Sequence, residues 1–156
     1  MAKAWDRLPS ALVAGAVAII ANTLALKAAD LVPLATARGG LLRMIRPLFP
    51  GWLQAHTGSA VFQTGFHLFV GMLMALAYAY AIEPVLRGPA WVKGLLYALA
   101  LWLLNALFVL PMTGEGFAGS AHLGLAGMIW FAVAHTLFFV WLSVMYGWLR
   151  SGARVA

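Results

Sequence analysis

The sequence predicts an all-α protein, an integral membrane bundle of four transmembrane helices. Three observations carry that prediction. Of the 156 residues, 64% are hydrophobic and only 9% are charged, whereas a soluble domain carries about 25% charged residues. Four apolar runs each approach or exceed the roughly 20 residues that a bilayer core demands of a helix. Two histidines lie inside those runs, and each is followed eleven residues later by a tyrosine, His67 by Tyr78 and His135 by Tyr146. A polar ring in hydrocarbon is costly without a partner, which makes both histidines functional candidates.

The first span covers about 11–33, its end flanked by Lys27 and Asp30. It imitates a signal peptide, with Lys3 and Arg7 before an apolar core and Ala28-Ala29 after it, and is taken as a retained span. The second covers about 60–82 and closes at Glu83-Pro84. The third covers about 91–110 and closes at Pro111. The fourth covers about 123–149, long enough to tilt. Runs of this length satisfy their backbone polar groups in lipid as helices. The chain is one transmembrane domain.

Four spans put both termini on one side. With that side cytoplasmic, Lys3, Arg7, Arg87, Lys93, Arg150 and Arg154 lie inside, against Lys27, Arg38, Arg43 and Arg46 outside. The balance favours cytoplasmic termini. The basic residues punctuate the ends of apolar runs, so the net charge of +6 implies lipid headgroups rather than nucleic acid. The segment 38–56 mixes arginines, prolines and Trp52, and suits an interfacial connector.

Spans two and four share the histidine-to-tyrosine interval, and spans one and three share an intramembrane asparagine, Asn22 and Asn105. A duplicated helix hairpin, with halves near 8–83 and 89–149, accounts for both. Small residues mark the packing faces. His67, Gly71, Ala75 and Ala79 recur every four residues on span two, and His135, Phe139, Ser143 and Gly147 do so on span four. Span one offers Ala14, Ala18 and Asn22, with Ala11 and Gly15 beside them, and span three offers Gly94, Ala98 and Trp102. The histidines therefore lie on faces turned to other helices. Depth counted from span entry nevertheless separates them, His67 at about 10 Å and His135 at about 18 Å.

The expected polar contacts join each histidine to Asn22, Asn105, a tyrosine (Tyr78 or Tyr146) or a backbone carbonyl. A sharper alternative makes His67 and His135 axial ligands of a b-type haem, or contacts of a quinone. No metal site is expected, since the histidines lack nearby carboxylates. The absence of cysteine excludes thiolate chemistry. Ser59 and Ser120 lack a base and an orienting acid nearby, and no nucleotide-binding glycine loop is present. The spans hold no carboxylate beyond Asp30, three residues from Lys27, which argues against a proton pump. His56 and His122 are expected at the surface, and Glu115 is expected to be hydrated rather than paired with an arginine of the first connection.

Pro111-Met112-Thr113-Gly114-Glu115-Gly116-Phe117-Ala118-Gly119, with Trp102 upstream and Gly65-Phe66-His67-Leu68-Phe69-Val70-Gly71 in the second span, resembles a family of small bacterial inner-membrane proteins of unknown function. These share a proline–glycine–glycine–phenylalanine turn and a histidine-bearing span. The resemblance covers most of spans two to four and implies a four-helix membrane fold; it implies no established activity, so no catalytic role is carried over. The leading functional expectation is a non-catalytic accessory or assembly subunit of a larger membrane complex, plausibly of electron transport, with lipids and other integral membrane subunits as partners. A haem- or quinone-binding electron-transfer protein is the alternative, and a small pore or lipid-binding protein the third.

Overall fold

A computed structural model describes residues 4–32, 34–35 and 40–152. Lys3, Pro33, Arg38 and Arg154 lie outside the described residues, as do the side chains of Asp6 and Asp30. All regular structure among the described residues is helical. The order is α1 (Ala4–Ala28), α2 (Gly40–Ile45), α3 (Gly51–Gln54), α4 (Ala60–Ala77), α5 (Ala90–Leu104), α6 (Leu110–Met112) and α7 (Leu125–Gly152). Four segments are long and apolar enough to cross a membrane: Arg7–Ala28, Ala60–Ile82, Ala90–Met112 and Leu125–Ser151. The protein is an all-α bundle of four transmembrane helices, a multi-pass membrane protein.

The first span ends earlier than expected, and the third runs through Pro111. That proline lies just after the widened turn Asn105–Val109, in the last turn of the span. Both internal hairpin helices end in widened turns. α4 continues as a π-helical turn, Tyr78–Ile82, in which the Glu83 N–H donates to the Tyr78 carbonyl at 2.8 Å. α5 continues as another, Asn105–Val109, which leads into α6. Such turns recur at functional positions.

The helices pack in the spatial order α4, α1, α7, α5. Small residues decide where backbones meet. Ala11, Ala14 and Ala18 of α1 and Gly71, Ala75 and Ala79 along the second span are all buried. A Cβ placed on Gly71 would collide with Ile19, and one on Gly15 would lie 2.5 Å from the Ala75 Cβ. On the other side of the bundle, a Cβ on Gly94 would lie 2.7 Å from the Phe139 carbonyl oxygen and 2.8 Å from Val140 Cα. Ser143 is fully buried in the same seam, and Gly147 faces Ala90. α4 and α5, by contrast, meet mainly at the Tyr78–Ile82 turn.

That contact lies at the end of the bundle that carries both termini. There Tyr78 packs with Tyr97 (ring centroids 6.0 Å apart) and with Tyr146 (5.7 Å). Tyr97 packs on Phe139 at 4.6 Å and its hydroxyl donates to the Met74 carbonyl at 3.3 Å. Lys93 of α5 bonds the Glu83 carbonyl (3.0 Å) and carboxylate (3.3 Å), closing the short loop.

At the opposite end, the first and third connections are joined. Gly114, Gly116, Ala118 and Gly119 all take positive φ, which folds the third connection back on itself. Glu115 is thereby buried and ion-paired with Arg43 of α2. The expectation of a hydrated Glu115 is corrected: its side chain is 8% exposed, and it binds the arginine that the first connection brings to it. The described part of the connector is α2, a 3₁₀ turn Arg46–Leu48 and α3, with Trp52 exposed. His56 and His122 are exposed as expected.

Two outcomes follow for detergent-purified protein. Gly71→Leu and Gly94→Leu each lower the melting temperature, at a cost of about 1–3 kcal/mol from overpacking, while lipid-facing Leu95→Ala leaves it nearly unchanged. Arg43→Ala strands a buried carboxylate at a cost of about 1–3 kcal/mol, and is therefore more destabilising than the double variant Arg43→Ala/Glu115→Gln. Equal melting temperatures for the single and double variants would refute the buried pair.

Candidate functional site

Because α4 and α5 meet only at the tyrosine end, they leave a space between them towards the other end. This space is a cavity of about 520 Å³, bordered by all four long helices and by Gly40–Leu42 of α2. Its wall is mostly apolar and aromatic, with Phe66, Trp102, Phe131 and Phe138 among its residues. Into it face Asn22, His67, Asn105 and His135, with Thr23, Lys27, Gln63 and Thr64.

Asn22 organises the polar groups. It sits one turn beyond Ala18 on the small-residue face of α1 and is 4% exposed. Its Nδ2 donates to the Ala134 carbonyl of α7 at 2.8 Å. Its Oδ1 lies 3.0 Å from Nε2 of His67 on α4. One carboxamide thus joins three helices. The second histidine is held within its own helix, with Nδ1 2.9 Å from the Phe131 carbonyl and its ring 4.1 Å from the Phe131 ring.

These contacts assign the rings' hydrogens. A carbonyl can only accept, so Ala134 fixes the amide's orientation and turns Oδ1 towards His67. Oδ1 also only accepts, so His67 Nε2 donates. Phe131 likewise requires that His135 Nδ1 donate. In the neutral imidazoles, His67 Nδ1 and His135 Nε2 are then the acceptors. The cavity wall carries Lys27 but no carboxylate among the described residues, so an imidazolium would find no counter-ion there. The Tyr146 hydroxyl is the only fully buried side-chain polar atom among the described residues without a hydrogen-bond partner. Neither free histidine nitrogen is among the fully buried unpaired atoms, and both histidines line the cavity.

The structure brings His67, His135, Asn22 and Asn105 to one cavity and leaves Tyr78 and Tyr146 out of it. Of the alternative partners expected for the histidines, His67 takes an asparagine and His135 a backbone carbonyl, while the two tyrosines pack against each other at the terminus end. Asn105 borders the cavity from the widened turn of α5. His67 and His135 share the cavity despite their different counts from span entry, because Asn22 reaches both His67 and the residue preceding His135. Tyr97, which closes the terminus end, was not singled out by the sequence, although its position three residues from Gly94 places it on the packing face.

Asn22→Leu removes both of its interhelical bonds. With membrane hydrogen bonds worth about 0.6 kcal/mol on average and up to about 1.7, it destabilises the protein by about 1–3 kcal/mol. A double-mutant cycle with His67→Phe, followed by thermal melting, shows non-additivity; strict additivity would remove the Asn22–His67 bond from the fold.

No known protein family, curated protein or solved structure matches this chain.

Proposed function

We propose that this protein binds a small amphipathic molecule of the lipid phase, of quinone type, in the cavity between α4 and α5. The observation that supports this reading is the cavity itself: about 520 Å³, mostly apolar, with a few polar groups converging on one region. Small-molecule sites have this volume and this sparse polarity. The seam between α4 and α5 is the side on which no other long helix of this chain packs, and it gives an apolar tail a path into the bilayer.

A b-type haem on His67 and His135 fits less well. His135 holds Nδ1 on a carbonyl and keeps Nε2 free, the arrangement that metal-ligating histidines use. His67 has its Nε2 engaged by Asn22, so ligation through that atom would break the joint between α1 and α4. A pore is disfavoured by the tyrosine and phenylalanine cluster that closes the terminus end. The accessory-subunit reading stands as the second proposal, because the open α4–α5 seam is also where a partner's helix would lie. In both proposals the protein resides in a bacterial inner membrane with cytoplasmic termini, as the charge balance and the resemblance suggest.

One sample tests these readings. Native mass spectrometry from mild detergent, with an absorption spectrum, is expected to show the chain carrying a small lipid-phase ligand and no Soret band. Titration with a short-tailed benzoquinone couple, in both redox states, is expected to quench tryptophan fluorescence, since Trp102 lines the cavity. Failure of both redox states to bind would overturn the ligand-binding proposal. Stoichiometric larger subunits would favour the accessory role, and a Soret band lost in His135→Ala would favour haem.

A further inference from the structure

The hydrogen-bond pattern of the cavity also specifies which partner it accepts. Building on the proposed lipid-phase site, we infer that it selects the reduced, dihydroxy-aromatic form of its ligand: a quinol over the corresponding quinone. Two histidines line the cavity, each with one nitrogen that has no protein partner, His67 Nδ1 on α4 and His135 Nε2 on α7. Each is left as an acceptor because its ring's other nitrogen donates to an oxygen that can only accept.

A quinone presents two carbonyl oxygens, which also only accept. Set against these imidazoles, it leaves acceptor facing acceptor, and in an apolar site unpaired groups are expensive; only by turning from the histidines to a group such as Lys27, Thr64 or the Asn105 amide does a carbonyl find a donor in the wall. A quinol presents two hydroxyls, each of which can donate to an imidazole. Sites built to pair with a substrate's hydroxyl discriminate strongly against the analogue that lacks it. Phe131, its ring tilted against His135, together with Trp102 and Phe138, supplies apolar aromatic walls suited to an aromatic ring. That shape favours a dihydroxy-aromatic head over an aliphatic diol or a glyceride, which offers the same hydroxyl donors without the ring.

The test is equilibrium binding to the purified full chain in detergent, read by tryptophan fluorescence. The probes are a decyl-benzoquinone, its dithionite-reduced quinol, the quinol's dimethyl ether and a monoacylglycerol. The quinol is expected to bind at least tenfold more tightly than each of the other three, the factor that one or two neutral hydrogen bonds supply. In His135→Phe, which removes one acceptor and only a bond within its own helix, the quinol-to-quinone ratio is expected to fall severalfold. Quinone binding as tight as quinol, or tighter, would overturn this inference while leaving the lipid-phase site in place. Monoacylglycerol binding as tight as quinol would overturn the aromatic specificity. Binding by none of the probes would overturn both this inference and the proposed function on which it rests.

Discussion

The fold turns on one carboxamide in hydrocarbon. An asparagine amide brings donors and acceptors into a medium that offers none, so it must find partners from neighbouring helices. Asn22 finds two, the Ala134 carbonyl on α7 and the His67 ring on α4. α1 is the helix that packs on both of these neighbours, and Asn22 lies where the three come together. The bond energies are small. The constraint is geometric: a shift of α1 along its axis would break both contacts at once. The same amide also fixes the orientation of its own atoms and, through them, the tautomer of His67.

Close approach elsewhere determines where the bundle opens. Gly15, Gly71 and the alanine face draw α4 onto α1, and Gly94 draws α5 onto α7. Nothing comparable joins α4 to α5 along their length, so these two helices meet at their tyrosine ends and diverge. A duplicated hairpin with a two-fold axis along the membrane normal would make α1–α7 and α4–α5 equivalent contacts. The packed pairs α1–α4 and α5–α7 fit that scheme, as does the meeting of Tyr78 with Tyr146, residues at corresponding positions. The second cross-contact does not. The cavity occupies the place of the missing equivalent, and the widened turn at Asn105, which has no counterpart in α1, borders it.

Hydropathy and small-residue spacing made much of this legible. The second span was expected at 60–82 and the helical segment runs Ala60–Ile82. The buried stripe of Gly71, Ala75 and Ala79 follows from a period of four. The pairing of His67 with Asn22 follows from the scarcity of polar groups in the spans. The tyrosine interval has a simple helical meaning. Eleven residues is about three helical turns, or roughly 16 Å along the axis. It therefore marks a shared face and not a contact. Counting depth from span entry assumes upright helices with level ends, whereas His67 and His135 line one cavity. The burial of Glu115 was illegible because it depends on four departures to positive φ within six residues of a connection whose partner, Arg43, lies 72 residues earlier.

These constraints also bear on the phase from which a ligand would come. At the terminus end, rings of Tyr78, Tyr97, Tyr146 and Phe139 fill the space between helices. At the other end, α2 lies across the cavity and is held there by the Arg43–Glu115 pair. α4 and α5 carry exposed apolar groups such as Phe69, Leu73 and Leu103, suited to acyl chains. Exposed Lys27 and Gln63 also border the cavity at the connection end, but a molecule already dissolved in the bilayer only has to slide between two helices. For such a molecule the apolar body gains little on entry, since the lipid it leaves is as apolar as the cavity wall. Discrimination must then come from the few polar atoms, and the unpaired nitrogens of His67 and His135 are the ones positioned to supply it.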